Sequence, residues 1–441
     1  MSATGDVVAV RAPRQLRGTI AIPGDKSVTH RAVMFNALAR GEARIDGFLD
    51  AADTRSTVEC MRALGAEVRE LGGGALAIRG GGRGGLHEPD NVLDCGNSGT
   101  TMRLLSGVLA GLPMLSVLTG DDSLRRRPMA RIVRPLASLG ANITARAEGT
   151  LPPVVIRGGP LRGGQTIETP VASAQVKSAL LLASLAADGP ITVVQPAQSR
   201  DHTERMLEAM GARIEGDGAS VTITPPANDL EAVDVSVPGD ISTAAAWIVA
   251  ASIHPDAELL LTGVGVNETR TGLLDILEAM GAHIERLEER TTGGERVADL
   301  LVRSSTLRGT VVGGDLVPRA IDELPLVALA AAFAEGETVI KDAAELRVKE
   351  SDRVATTAAS LRAFGIDVSE HDDGMSVRGG PSLRGASVQS SGDHRLAMLG
   401  AVAGLVAEGE TSVHGAEAVT VSYPEFWAEL GRLGATSVAA V

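Results

Sequence analysis

Six times along the chain an amphipathic run closes on an apolar residue and a glycine, then turns extended: MRALGAEV from position 61, LASLGANI from 136, LEAMGARI from 207, LEAMGAHI from 277, LRAFGIDV from 361 and LGRLGATS from 430. The glycines are Gly65, Gly140, Gly211, Gly281, Gly365 and Gly434, separated by 75, 71, 70, 84 and 69 residues. A glycine there suits the left-handed residue just past a helix end, so each phrase predicts a helix, a C′ glycine and a strand. The next strand recurs too, as LAIRGG, VVIRGG, VTITPP, LLVRSS and MSVRGG, before an LRG-like turn and one more extended stretch. A second, alanine- and leucine-rich helix reads as buried. It lies in KSVTHRAVMFNALARGEARI, SGTTMRLLSGVLAGLPMLSV, SAQVKSALLLASLAADGPITV, ISTAAAWIVAASIHPDAELLL, IDELPLVALAAAFAEGETVI and HRLAMLGAVAGLVAEGETSV. The unit is βαβαββ, six times over in an α/β protein, and 441 residues divided by six give about 73, the observed spacing.

Each unit carries two polar segments directly ahead of a helix, where unpaired N–H groups and the positive end of the dipole attract anions. One set is GDKS, CGNSGT, ASAQVK, PGDIST, AIDELP and GDHR; the other is DAADTR, DDSLRRRP, QSRDHTE, VNETRTG, LRVKESDR and VSYPEF. If equivalent repeat ends point the same way, these segments gather on one surface. Three repeats facing three more would then enclose a cleft lined by helix starts.

Composition narrows what such a cleft holds. The length suits two domains, and 44% hydrophobic with 22% charged residues is a soluble globular balance. Only five Phe, two Trp and one Tyr are present and the net charge is −14, which argues against base stacking and against a nucleic-acid partner. Cys60 and Cys95 make no disulfide framework, the eight histidines show no HxxxH, and no GxSxG occurs, so neither a metal site nor acyl chemistry is indicated. The opening MSATGDVVAVRAPRQ lacks a signal-peptide pattern, and runs such as Ala244–Ala251 fall short of the ~20 residues of a membrane span. The expectation is a soluble, cytoplasmic protein without membrane contact. Lysine is scarce: Lys26, Lys177, Lys341 and Lys349 stand against 37 arginines.

The chemistry-bearing residues sit in the polar segments. Ser27 is placed to cap a helix, with Lys26 and Arg31 to hold an anion; a plain capping turn with two solvated cations is the alternative. CGNSGTTMR (Cys95–Arg103) is a glycine–amide nest that could wrap a carboxylate or phosphate, or serve only as a turn. In SLRRRPMARIVR, Arg125, Arg126, Arg127, Arg131 and Arg134 form either a solvated basic face or, with Pro128 starting a helix, a cation at its positive end that a bound anion would offset. Ser173 and Gln175 stand at another helix start. Lys349 and Arg353, four apart, can share a helix face, with Glu350 held ionised between cations or trading a proton. Asp322 is an N-cap or a base, and Asp393 with His394 a buried structural pair beside Arg395. This inventory suits small, multiply charged anions in a proton-assisted transfer without redox or metal cofactor.

IPGDKSVTHR, GNSGTTMRL, LRRRPM, SAQVKSA, NETRTG, ELRVKESDR and DHRLAM, in this order, resemble the EPSP synthase family, the 3-phosphoshikimate 1-carboxyvinyltransferases, from about residue 10 to 435. GDKS, SAQVK, SRDHTE and NETR are similar to its second, bacterial class. The resemblance implies the two-lobed inside-out α/β barrel of enolpyruvyl transferases, with three βαβαββ units per lobe. One lobe would be 1–22 plus 238–441 and the other 23–237, closing around the substrates. It implies transfer of the enolpyruvyl group of phosphoenolpyruvate to the 5-hydroxyl of shikimate-3-phosphate through a tetrahedral ketal, releasing phosphate. That step belongs to the shikimate pathway of chorismate and aromatic amino-acid biosynthesis. The implied enzyme is a monomer that needs no cofactor and no metal.

Carried over by the resemblance, Lys26, Ser27, Arg31, Ser173, Ala174, Gln175, Arg200, Asp322 and Lys349 bind shikimate-3-phosphate. Lys26, Asn97, Gly99, Arg127, Gln175, Glu350, Arg353 and Arg395 bind phosphoenolpyruvate. Asp322 accepts the proton of the attacking hydroxyl, Glu350 exchanges one with the methylene carbon, and Lys26 completes the catalytic set. Three positions depart from the family: Ala174 for a second serine, His202 for a tyrosine, and Val421 for a lysine common near the phosphoenolpyruvate site. Two other readings remain. The sister transferase acting on UDP-N-acetylglucosamine would need a loop cysteine, which SLRRRPM lacks. A non-catalytic anion-binding repeat protein would lack Asp322 and Glu350.

Overall fold

The computed structural model describes residues 7–292, 294–380, 382–435 and 438–440. The first six residues of the opening segment, and Thr436 and Ser437 of the sixth helix–glycine phrase, lie outside the described residues. The chain is mixed α/β and forms two compact units. One comprises Gly24–Pro238 with Thr291–Glu295; the other comprises the described residues up to Pro23, Gly239–Arg290 and those from Arg296 on.

The 24–238 unit holds three four-stranded sheets. In the first, Val235–Ser236 runs parallel to Arg40–Asp46, which pairs antiparallel with Ala75–Gly81, itself antiparallel to Glu67–Gly72. Leu93–Asp94, Leu115–Thr119, Leu151–Arg157 and Asn142–Ala145 repeat this order, as do Gln165–Glu168, Ile191–Val194, Ser220–Thr224 and Arg213–Gly216. The other unit repeats the order with Val311–Val312, Glu337–Ile340, Gly374–Arg378 and Asp367–His371. Its two remaining sheets recruit the start of the chain. Leu16–Ala21 lies parallel to Ala257–Gly265, and Val7–Arg11 lies antiparallel between Glu410–His414 and Val438–Ala440.

The alanine- and leucine-rich helices are buried almost throughout: Lys26–Leu38, Gly99–Ala110 and Ala174–Ser184 in one unit; Ile241–Ile253, Leu324–Ala331 and His394–Gly404 in the other. The last three touch one another pairwise inside one apolar core. A Pro-Gly-Asp tripeptide spans each of the boundaries at 23/24 and 238/239, and each aspartate caps the helix that follows: Asp25 accepts from Val28 N at 2.9 Å and Asp240 from Ser242 N at 2.8 Å. Ser27, expected to cap, sits instead inside the first turn, because Asp25 already takes the amide that a capping hydroxyl would need.

All six phrase glycines are left-handed, with φ from 84° to 98°. Each lets the glycine N–H reach the carbonyl three residues back and the following N–H reach the carbonyl five back, as in Gly65 to Arg62 and Ala66 to Met61, both 2.9 Å. That closing pattern satisfies the last helix carbonyls and turns the chain into a strand. Among the described residues, no helix is long and apolar enough to cross a membrane.

Candidate active site

In the 24–238 unit, polar side chains collect where the buried helices begin. Arg31 is buried, and its donors go to neutral oxygens: Nε to Thr203 Oγ1 at 2.8 Å, Nη1 to Ser27 O at 2.9 Å and Nη2 to Ser178 Oγ at 2.8 Å. Burial pushes its pKa down to about 10 against the pull of Glu204, so it stays a cation at neutral pH. Lys26 Nζ stands 3.3 Å from Asp53 Oδ2. Arg200 is half-buried, and its charge adds to the lowering of Arg31. His30 donates or accepts through Nδ1 with Thr57 Oγ1 at 2.6 Å; burial, then Lys26 and Arg31, hold its pKa well below the usual imidazole range.

Arg127 does not stand at a helix N-terminus. Proline at 128 keeps the preceding residue out of helical conformation, and Arg127 is extended (ψ 141°), between the turn Leu124–Arg126 and a helix that begins only at Ala130. Its Nη2 donates to Asn97 Oδ1 at 2.5 Å, while Asn97 Nδ2 donates to Asp121 Oδ2 at 2.7 Å. A Cβ on Gly99 would lie 3.0 Å from Arg103 Nη1 and 3.4 Å from Arg127 Nη1, so two guanidinium groups converge over that glycine. Arg103 Nη1 donates to Gln175 Oε1 at 2.5 Å, and Gln175 Nε2 to Thr100 Oγ1 at 3.0 Å. Ser173 and Ala174 form the start of helix Ala174–Ser184, and Ser173 O accepts from Gln195 Nε2 at 3.0 Å.

Arg103, Ser178, Thr203 and Glu204 join this cluster without standing out in the sequence as candidate site residues, and Lys177 stands out there only by its rarity. Lys177 is fully buried, 2.5 Å from Glu204 Oε1, and donates to Ser199 O at 3.2 Å, the carbonyl just before Arg200. His202 pairs through Nδ1 with Glu295 Oε1 at 2.7 Å, both buried. Arg103 was legible within the CGNSGTTMR segment; the others are local only in three dimensions.

In the second unit the cluster is built of both charges. Asp322 lies in the turn between helices Leu316–Ala320 and Leu324–Ala331 and is not a cap, since Glu323 takes that position. Lys349 and Glu350 precede helix Arg353–Ala363, which Asp352 caps by accepting from Val354 N and Ala355 N, both at 3.1 Å. Lys349 and Arg353 therefore share no helix face, yet both reach Asp322 Oδ1, at 3.5 and 3.1 Å. Arg353 also donates from Nη2 to Glu350 Oε2 at 2.7 Å and from Nε to Asp393 Oδ2 at 2.8 Å. Burial alone would lower the Arg353 pKa, but Asp393, Glu350 and Asp322 outweigh it and raise it, while Arg353 overcomes burial to hold Asp393 low. Asp393 thus belongs to Arg353 more than to His394, whose Nδ1 is 4.0 Å away, and it caps the next helix by accepting from Arg395 N at 3.0 Å. Arg395 Nη2 is 3.9 Å from Asp322 Oδ2. Val421 ends the short turn Ala416–Val421.

The carried-over residues thus form two sets, one in each unit. One is dominated by cations, hydroxyls and amides and can hold phosphate and carboxylate groups. The other places two carboxylates, Asp322 and Glu350, on a single guanidinium and can move protons.

A family model described as EPSP synthase (3-phosphoshikimate 1-carboxyvinyltransferase) matches residues 10–430. The chain is 56% identical over 425 residues to the 3-phosphoshikimate 1-carboxyvinyltransferase of Roseiflexus castenholzii, covering 96% of this chain and 98% of that protein. It superimposes on the EPSP synthase of Acinetobacter baumannii with a TM-score of 0.88 at 42% identity, covering 99% and 100% of the two chains. The enolpyruvyl transferase NikO from Streptomyces tendae, at 20% identity and a TM-score of 0.80 over 99% and 100% of the chains, shares the fold.

Proposed function

This chain belongs to the EPSP synthase (3-phosphoshikimate 1-carboxyvinyltransferase) family, and from that premise we propose that it transfers the enolpyruvyl group of phosphoenolpyruvate to the 5-hydroxyl of shikimate-3-phosphate. The 5-oxygen attacks the central carbon of phosphoenolpyruvate while the methylene carbon gains a proton, giving a tetrahedral ketal. Loss of that proton and of phosphate then restores the double bond. Asp322 accepts the hydroxyl proton, and Glu350 gives one to the methylene carbon and takes it back. The observation that carries this reading is the shared hold of Arg353 on both carboxylates, 3.1 Å from Asp322 and 2.7 Å from Glu350, which keeps two acid–base groups apart in role but fixed in place.

The substrates together bring two phosphates and two carboxylates. Lys26, Ser27, Arg31, Ser173, Ala174, Gln175 and Arg200, with Asp322 and Lys349, bind shikimate-3-phosphate in this proposal. Asn97, Gly99, Arg127, Arg353 and Arg395, with Lys26, Gln175 and Glu350, bind phosphoenolpyruvate. The missing hydroxyl at Ala174 leaves backbone and Ser173 to serve there, and Val421 supplies no cation. The finer architecture, six βαβαββ units in two inside-out lobes of 1–22 plus 238–441 and 23–237, draws support from three sheets of one strand order in each unit. The enzyme acts as a cytoplasmic monomer on these two small anions, without nucleic acid, membrane or cofactor. The UDP-N-acetylglucosamine reading is disfavoured by the family match and by the burial of Cys60 and Cys95.

Phosphate release on mixing the protein with phosphoenolpyruvate and shikimate-3-phosphate, with no metal or nucleotide added, tests the assignment. Release dependent on both substrates is expected; none over pH 6 to 9 would end it.

A further inference from the structure

Beside Asp322 stands a carboxylate that the proposed chemistry does not use. Glu323 is fully buried. Its Oε1 accepts the Ser242 hydroxyl, and its Oε2 has no hydrogen-bond partner among the described residues. The direction of the first bond is fixed by its neighbours: Arg270 Nη2 donates to Ser242 Oγ at 2.6 Å, and arginine is donor-only, so the single hydroxyl proton goes to Glu323. Arg270 is itself held by Asp240, the cap of the same helix, at 3.2 Å.

The cation that faces Glu323 is Arg395, with Nη1 3.7 Å from Oε1, beyond hydrogen-bond distance. Asp322 stands on its other edge at a similar remove, 3.9 Å. Arg395 makes no side-chain hydrogen bond to any described residue, and its Nε is buried without a partner. It is a largely buried guanidinium held between two carboxylates by charge alone, with its donors unspent.

We propose that Glu323 is a positioning residue for phosphoenolpyruvate: anchored by Ser242, its buried charge fixes the Arg395 fork without consuming its N–H groups, which remain to take the carboxylate of the substrate in bidentate fashion. This rests on the enolpyruvyl-transfer reading and adds to it a residue that touches no substrate. Glu323→Gln keeps the shape and an acceptor for Ser242 but removes the charge. It should raise the KM for phosphoenolpyruvate about tenfold, the cost of one misaligned charge-assisted contact. The KM for shikimate-3-phosphate should stay within about twofold, and kcat within about threefold. Ser242→Ala, which frees Glu323 but keeps its charge, should show the same split at about threefold. An unchanged KM for phosphoenolpyruvate with a lowered melting temperature would make Glu323 a packing residue only. Equal rises in both KM values, or a loss confined to kcat, would also overturn the proposal. If Ser242→Ala fails to fold, the near-isosteric Glu323→Gln decides alone. A wild-type protein that releases no phosphate ends the functional reading and this inference with it. A turning-over wild type beside an unaltered Glu323→Gln ends only the inference.

Discussion

Arg31 in one unit and Arg353 in the other are the most deeply buried arginines of the two polar clusters, and they are treated in opposite ways. Arg31 spends its donors on a threonine, a serine and a backbone carbonyl, all neutral, and its pKa falls to about 10. Arg353 spends them on Asp393, Glu350 and Asp322, and its pKa rises. Desolvation is the largest single influence on both, so partners and not depth decide the sign. A guanidinium satisfied by neutral oxygens keeps its full positive charge directed at whatever anion arrives. One enclosed by three carboxylates has no charge left over, and serves to fix those carboxylates in place and to hold the buried Asp393 ionised. In the proposed reaction the same residue type would therefore serve as an anion holder in one unit and as an acid–base scaffold in the other.

The largest effect should come from removing the enclosed arginine. Arg353→Met strands the buried Asp393 and should cost about 3–5 kcal/mol of unfolding free energy, as for a broken buried ion pair. Arg31→Met leaves only neutral acceptors unpaired and should cost about 1–3 kcal/mol. Denaturant unfolding of both variants measures the gap, and equal losses would break the comparison. Next come the proposed proton carriers: Asp322→Ala or Glu350→Ala should lower kcat by about two decades or more, as loss of a general acid or base does. A variant with near-normal steady-state turnover would remove that residue from the mechanism.

A smaller effect separates the units by pH. His30 is held neutral by burial and by Lys26 and Arg31, so its folded pKa lies below its unfolded value of about 6.5. As pH falls below 6.5 the unfolded chain gains a proton that the folded one refuses, and stability should drop by up to about 1.4 kcal/mol per pH unit from this group. His30→Gln should flatten that slope between pH 6.5 and 5; an unchanged slope would assign the acid sensitivity elsewhere. The smallest effect should be the same in both units. An added Cβ at Gly211 or Gly365 meets nothing within 4 Å, so alanine at either carries only left-handed strain, about 1 kcal/mol. Unequal penalties would mean that the two scaffolds close their helices differently.

Much of this was legible because it is local. Helix ends followed from glycine position, since six left-handed glycines close six helices within five residues of themselves. Buried helices followed from composition, and the site segments from their places ahead of helix starts. Errors came where one neighbour along the chain outcompeted another: Asp25 over Ser27 as cap, Pro128 over the helix at Arg127, Asp352 over a helical Lys349.

The amino-acid order by itself determined the repeated helix–glycine–strand pattern and the types of residue available to chemistry, because these depend on atoms a few bonds or one turn apart. Only the tertiary structure decided that Val7–Arg11 fills the sheet beside Glu410–His414, that Arg31 meets Thr203 and Ser178, and that Arg353 gathers Asp322 and Asp393. Those partners lie tens to hundreds of residues away, and nothing in local geometry selects among the many charged and polar groups that could have met them. Burial made the selection, since a buried guanidinium must find partners for its donors and the fold determines which ones are within reach.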